Sequence, residues 1–159
     1  MSPRRTLFYT HLSFLVALTL SIAPFSDELI IYNPQWLVLV AAYWGIFSPN
    51  QTGIITGWIW GLLLDVALGT HLGIHALSLS LVCYMTVILH QRLRMYPLWQ
   101  QAFFIWLLAS LDKIVVYQLV NIFSPQQALY DYWMSSITSA IFWPVTIILL
   151  NYLRKKARV

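Results

Sequence analysis

Three ionisable residues of this sequence lie inside long apolar runs, where a charge is costly to place. Asp65 lies in the run at about 52–68, and Asp112 and Lys113 lie in the run at about 98–123. A charge near the middle of a bilayer costs about 2.5 to 3.5 kcal/mol on insertion scales, so such a residue normally faces protein or water. All three residues lie about equally far from the start of their runs, so we expect an intramembrane polar cluster at one depth.

The cluster of Asp65, Asp112 and Lys113 has two possible interpretations. It can be an ion pair or a hydrogen-bonded carboxyl that holds helices together without moving anything. It can also line a cavity for a solute or a proton. Because neighbours on a helix point about 100° apart, Asp112 and Lys113 cannot both face Asp65. Acid–base catalysis needs positioned pairs beside a substrate, and these residues do not form such a set, so we do not expect an enzyme.

Metal and cofactor sites are not expected either. His71 and His75 are four residues apart, but Gly73 between them argues against a continuous helix, and no third ligand is nearby. The single cysteine, Cys83, lies in an apolar run and excludes a disulfide framework or a Cys-rich metal site. Walker, Rossmann, zinc-finger and nucleophile-elbow motifs do not occur in the sequence. No cofactor is therefore predicted.

The composition indicates a membrane protein. Charged residues make up 9% of the 159 residues and hydrophobic residues 60%, whereas a typical soluble domain has about 25% charged residues. A net charge of +4 in a soluble protein would suggest a nucleic-acid partner. Here the positive residues lie at the ends of apolar runs, so we expect contact with anionic lipid headgroups and no nucleic-acid binding.

The apolar runs predict the elements that position the polar cluster. Crossing a core of ~30 Å takes roughly 20 apolar residues of helix. Six candidate spans lie at about 7–25, 29–47, 52–68, 74–90, 98–123 and 132–153. We expect the first to be retained rather than cleaved as a signal peptide, because cleavage after Ala23 would leave Pro24 first. The predicted fold is an all-α integral membrane protein, a single domain of six transmembrane helices in a compact bundle.

Basic and acidic residues alternate between successive connections. Eight of the nine basic residues form three clusters, namely Arg4 and Arg5, then Arg92 and Arg94, then Arg154, Lys155, Lys156 and Arg158. Three of the five acids lie where basic residues are missing, namely Asp27, Glu28 and Asp131. Cytoplasmic loops are enriched in Lys and Arg, so both termini are predicted to be cytoplasmic. An odd number of spans would send one basic cluster across the membrane.

Small and aromatic residues suggest where helices meet. Gly53, Gly57 and Gly61 share one face of the third run, which lets another backbone approach closely. Their spacing leaves open whether that neighbour belongs to the same chain or to a partner. Trp36 in the second run and Pro144 in the sixth are further candidates for helix packing or partner contact. Pro144 removes one helical hydrogen bond, so it predicts a kink, which can be a hinge or a fixed bend.

One segment and three shorter stretches resemble a known family. The segment at 57–73, GWIWGLLLDVALGTHLG, resembles the central signature of MreD, the rod shape-determining membrane protein of bacteria. Asn33-Pro34-Gln35-Trp36 and the stretches at 98–102 and 142–144 also fit Gram-negative members. The length, the six runs and the basic C-terminus match as well, so the resemblance covers nearly the whole chain.

The resemblance implies a fold, a function and a set of partners. It implies a fold similar to the substrate-binding subunits of energy-coupling-factor transporters. It also implies a non-enzymatic subunit of the elongasome in the bacterial inner membrane, which supports cell shape by positioning peptidoglycan synthesis. The implied partners are MreC, bound directly within the membrane, with MreB, RodA and a class B penicillin-binding protein in the wider complex.

Two hypotheses of function follow. The favoured one is a scaffold that binds the membrane helix of a bitopic partner such as MreC, through the glycine face of the third span and the aromatic faces of the second and sixth. The alternative is a solute- or lipid-binding transport subunit, with Asp65, Asp112 and Lys113 lining an intramembrane pocket. A fold hosts many functions, so the implied likeness to transporter subunits does not decide between them.

Overall fold

The computed structural model describes residues 3–23, 32–123 and 130–158, and these residues form an all-helical bundle. The six helices are α1 (Pro3–Ile22), α2 (Trp36–Phe47), α3 (Ile54–Leu68), α4 (Ile74–Met95), α5 (Leu98–Phe123) and α6 (Tyr130–Arg158). The all-α prediction is therefore confirmed. The predicted outer acids Asp27 and Glu28 and the side chain of Asp131 lie outside the described part of the structure.

Helix boundaries differ from the predicted runs at two places. The described residues 32–35 are not helical, and α2 begins only at Trp36. Pro34 disfavours helical backbone in the residue before it, which accounts for this late start. Helix α4 continues through Arg92 and Arg94, which were expected in a loop, and ends at Met95. Pro97 lies just beyond, where it cannot continue the helix.

Among the described residues, four helices are long and apolar enough to cross a membrane. The qualifying segments are Arg5–Ile22, Ile74–Met95, Leu98–Phe123 and Trp133–Lys156. Helices α2 and α3 are apolar but have only 12 and 15 residues, which corresponds to about 18 and 22 Å. The short helices occupy different places in the bundle, α2 at its centre and α3 at its edge.

Helix α2 is the core of the molecule. Ten of its twelve residues are buried, in one continuous stretch from Leu37 to Ile46, and it packs against α1, α4, α5 and α6. A helix that is apolar on every side is expected to be enclosed. Its two fully buried polar-tipped aromatic residues bond to neighbouring helices, since Trp44 Nε1 donates to Ser13 Oγ at 2.8 Å and the Tyr43 hydroxyl donates to Asn151 Oδ1 at 2.7 Å.

The backbone before α2 is stabilised by side chains of α6. Ser135 Oγ donates to the carbonyl of Asn33 at 2.9 Å, and Gln35 N donates to Ser139 Oγ at 2.8 Å. Trp36 Nε1 donates to Asn33 Oδ1 at 2.9 Å. Non-helical backbone at membrane depth is tolerated only where protein or water satisfies it. Here Ser135 and Ser139 of α6 provide the hydrogen bonds that satisfy this backbone.

The helices run alternately up and down. At one end, Arg94 near the end of α4 bonds to Ile46 near the end of α2, and Arg154 near the end of α6 lies over Phe47. We call this the basic end. At the opposite end, which we call the distal end, the His71 ring before α4 packs on Phe123 at the end of α5, with centroids 4.6 Å apart.

Helix α6 continues through Pro144 from Tyr130 to Arg158. The neighbouring Trp143 is fully buried, and its Nε1 donates to Gln101 Oε1 of α5 at 3.3 Å. Trp36 is partly buried and packs edge-on against Phe142, with ring centroids 5.5 Å apart. The stretch around the proline is thus a contact between α6 and its neighbours α2 and α5.

Candidate functional site

Asp65 lies in the last turn of α3, and its side chain is completely buried. Its carboxylate faces the first turn of α4. Oδ2 accepts from Gly73 N at 2.9 Å and Ala76 N at 3.4 Å, and Oδ1 accepts from His75 N at 3.1 Å. The first N–H groups of a helix have no partner within it, and the helix dipole favours negative charge there. Asp65 therefore caps α4 from the helix that precedes it.

Two side chains complete the environment of Asp65. Thr70 Oγ1 donates to Oδ1 at 2.9 Å, and His75 Nδ1 lies 2.7 Å from the same oxygen. The backbone N–H of Thr70 also donates to the carbonyl of Asp65 at 3.0 Å. Gly69 and Gly73 make the reversal possible, with φ values of 67° and 104° that disfavour side-chain-bearing residues. Each carboxylate oxygen has at least two partners from residues 70–76.

The glycine face of α3 packs against α4 of the same chain. A Cβ on Gly61 would come within 2.6 Å of Ala76 N and of His75 O, and a Cβ on Gly57 would come within 2.8 Å of Leu79 O. Gly57 and Gly61 are buried by this contact, and the close neighbour of these two residues is a helix of the chain itself. A Cβ on Gly53 would meet nothing within 4 Å.

Asp112 makes a different contact with the same helix. It lies in α5 and is 7% exposed. Ser78 Oγ of α4 donates to Asp112 Oδ1 at 2.6 Å and lies 3.2 Å from its carbonyl oxygen. Ser78 follows His75 by three residues, about one helical turn. The two carboxyls therefore bind α4 one turn apart, Asp65 from α3 and Asp112 from α5.

Lys113 follows Asp112 on α5 and is half-buried. Asp65 instead has its hydrogen bonds with residues 70–76. Of the three residues predicted as one cluster, Asp65 and Asp112 thus contact the first two turns of α4 through two separate sets of hydrogen bonds.

The two histidines near the distal end have separate roles. His75 bonds to Asp65, whereas the His71 ring packs on Phe123. In the ranges 3–23, 32–123 and 130–158, no group of three or more His, Cys, Asp or Glu residues is placed to hold a metal ion.

A groove of about 430 Å³ opens between α5 and α6 and is lined by Ala102, Phe103, Trp106, Ile137, Ala140 and Ile141. Its lining residues are all apolar or aromatic, and Asp65, Asp112 and Lys113 are not among them. The groove therefore lacks the polar groups that fix the orientation of a polar solute.

Sequence reasoning missed the partners of both carboxyls and one aromatic contact at the basic end. His75 was considered only as a metal ligand, and Thr70 and Ser78 were not considered as hydrogen-bond partners of the carboxyls. The glycines at 69 and 73, which bracket a short turn after Asp65, are the signal that could have indicated a cap. Phe47, which lies against two arginines, carried no signal in the sequence.

The fold and the polar contacts together define a multi-pass membrane protein whose buried carboxyls connect its helices. A family model described as rod shape-determining protein MreD matches residues 4–153. The rod shape-determining protein MreD of Haemophilus influenzae is 32% identical over 157 residues, which cover 96% of this chain and 94% of that protein. The chain belongs to the MreD family, and the resemblance seen in its central segment is confirmed. No solved structure matches the chain, so the likeness to energy-coupling-factor subunits stays a prediction.

Proposed function

We propose that the chain is a non-enzymatic scaffold of the cell-wall elongation complex in the bacterial inner membrane, and that it binds MreC within the bilayer. The observation that carries the proposal is membership of the rod shape-determining MreD family over nearly the whole chain. The geometry supports a structural role, because Asp65 is enclosed by hydrogen bonds of the chain itself. MreB, RodA and a class B penicillin-binding protein complete the proposed complex.

The proposal includes six crossings with both termini in the cytoplasm. The alternating helices support it, since Arg94 and Arg154 lie at the same end of the bundle. The short α2 does not contradict a crossing, because it is enclosed by protein and does not have to match the thickness of the bilayer.

The partner contact is assigned to outward helix faces. Gly57 and Gly61 already contact α4, and α2 is enclosed, so neither offers a surface to a partner. The outward faces of α1, α3 and α6 are apolar and exposed, for example at Leu15, Ile55 and Ile141. The connections between the described helices α2 to α5 are short, so these connections offer little surface to a partner.

An affinity pull-down of the tagged chain from native membranes in mild detergent tests the proposal. Mass spectrometry is expected to find MreC together with RodA or the penicillin-binding protein, and an unrelated tagged membrane protein of similar size is the control. A photo-reactive amino acid at Leu15, Ile55 or Ile141 is expected to cross-link to MreC from at least one position. Absence of MreC from both experiments would refute the scaffold, and recovery of an ATPase module would establish the transport alternative instead.

A further inference from the structure

Two arginines of different helices meet on one ring at the basic end. The guanidinium carbon of Arg94, in α4, lies 6.0 Å from the centroid of the Phe47 ring, and that of Arg154, in α6, lies 5.2 Å from it. The two guanidinium groups are therefore no farther apart than these two distances combined. A cation over an aromatic face is stabilised by the ring, so Phe47 is a shared contact for two positive charges on different helices.

The contacts of Arg94 hold it in place and leave most of its donors available. Its Nη2 donates to the carbonyl of Ile46 at 2.8 Å, at the C-terminal end of α2 where carbonyl groups lack helical partners. A guanidinium group has five N–H donors in a fixed fork, which matches the oxygens of a phosphate. Because the ring and the carbonyl already order this side chain, less freedom is lost when it binds an anion.

The acids whose side chains the structure describes do not neutralise this pair. Those acids are Asp65 and Asp112, and both bind near the start of α4, at His75 and Ser78. Arg94 lies sixteen residues beyond Ser78 along the same helix, a separation of about 24 Å. In the described structure, the arginine pair thus lies at the basic end, and both of these carboxyls lie toward the distal end.

The surroundings of the arginine pair indicate which anion binds there. Tyr96, Trp99 and Tyr152 are exposed at 42%, 71% and 66% around the same end of the bundle. Tyr and Trp are enriched at the level of lipid headgroups, and basic pockets between transmembrane helices bind anionic headgroups. At this level the phosphodiester of a phospholipid is the anion within reach.

We propose that Arg94 and Arg154, held on Phe47, form a binding site for the phosphate of an anionic phospholipid between the ends of α2, α4 and α6. The site would link three helix ends through one bound headgroup. It is independent of the scaffold proposal, because it needs only the bundle and a lipid surface.

The test measures lipid retained by the purified full-length chain after reconstitution with phosphatidylglycerol or phosphatidylcholine, using native mass spectrometry and titration. The double variant R94Q/R154Q is compared with R92Q/K155Q, which removes the same charge from exposed neighbours. We expect phosphatidylglycerol binding to weaken about fivefold for each of the two ring-bound arginines removed, because a hydrogen bond to the phosphate is lost with each. Binding should change less than about twofold in the control at physiological salt, where exposed charges are screened.

Arg154→Gln alone is the second variant, because it leaves the Arg94–Ile46 bond intact and so separates loss of the site from misfolding. Thermal unfolding in detergent should be unchanged for this variant, while phosphatidylglycerol binding falls about fivefold because a hydrogen bond to the phosphate is lost. Equal weakening in both double variants would overturn the site in favour of diffuse charge. Full competition by inorganic phosphate at equal concentration would overturn the lipid as its source. If the R94Q/R154Q variant kept its phosphatidylglycerol binding but lost a protein partner, the two arginines would instead bind an acidic segment of that partner.

Discussion

Asp65 and Asp112 are both buried carboxyls that bind the start of α4, yet their environments differ. Asp65 accepts from three backbone N–H groups and from Thr70, and it contacts His75, all within eleven residues of itself. Asp112 accepts from one hydroxyl, that of Ser78, which lies 34 residues away. The first carboxyl organises a local turn, and the second joins two helices that are distant in sequence.

The difference shows why a charge inside an apolar run need not mark a ligand site. A buried carboxylate is tolerated when hydrogen bonds replace the water it has lost. Asp65 obtains these bonds from the start of α4, whose N–H groups themselves need acceptors. The arrangement therefore stabilises both the buried carboxylate and the first turn of α4. In the MreD-like signature of this chain, the aspartate and its flanking glycines therefore build the α3–α4 unit.

Replacement of Gly61 by Leu should have the largest effect on this unit. Any side chain there meets the backbone of His75 and Ala76, which cannot move aside, so we expect a loss of about 4 kcal/mol or more in the free energy of unfolding. The control is Gly53→Leu, because a Cβ there meets nothing within 4 Å. Thermal unfolding in detergent measures both. Equal destabilisation by the two variants would contradict the close α3–α4 packing.

Replacing each of the two aspartates by alanine compares how much each carboxyl contributes to the free energy of unfolding. Asp65→Ala leaves several buried donors without a partner, so we expect a loss of about 3 to 5 kcal/mol. Asp112→Ala removes the acceptor of one hydroxyl, and we expect about 1 to 3 kcal/mol. Urea or thermal unfolding of the two variants side by side measures the difference. A larger loss in the free energy of unfolding for Asp112→Ala than for Asp65→Ala would contradict this difference between the two carboxyls.

Of the substitutions around the start of α4, Ser78→Ala should lower the free energy of unfolding least. It removes one hydrogen bond to Asp112 while the carboxyl stays in place, so the expected loss is about 1 to 2 kcal/mol. In the double variant with Asp112→Ala the two losses should not add, because both remove the same bond. Additive losses would show that Ser78 and Asp112 are not coupled.

Much of the fold could be predicted because the length of an apolar run reflects the thickness of a bilayer. The central place of α2 could not be predicted, since its sequence is apolar on all sides and lacks a polar face to orient it. The hydrogen bonds that satisfy the non-helical backbone before α2 could not be predicted either, because they come from the serines at 135 and 139, about a hundred residues away.

The candidate residues could be found, but not their partners. Asp65 stood out because a charge is rare in an apolar run, and its depth suggested a partner on the fifth span. Its actual partners lie in the turn that follows it, because Gly69 and Gly73 reverse the chain and bring the first N–H groups of α4 to the carboxylate. The spacing of Gly57 and Gly61 predicted close packing but not the identity of the neighbour, which only the structure provides.

The most direct test of this account is the retention of MreC by the Asp65→Asn variant, measured at a temperature where the variant remains folded. Asn keeps the size of the side chain and removes its charge. We predict that the variant unfolds at a lower temperature but, while folded, retains the proposed partner MreC to the same extent as the unsubstituted chain, because Asp65 supports the bundle from within. A folded Asp65→Asn protein that has lost MreC would contradict the account and place Asp65 in a functional contact.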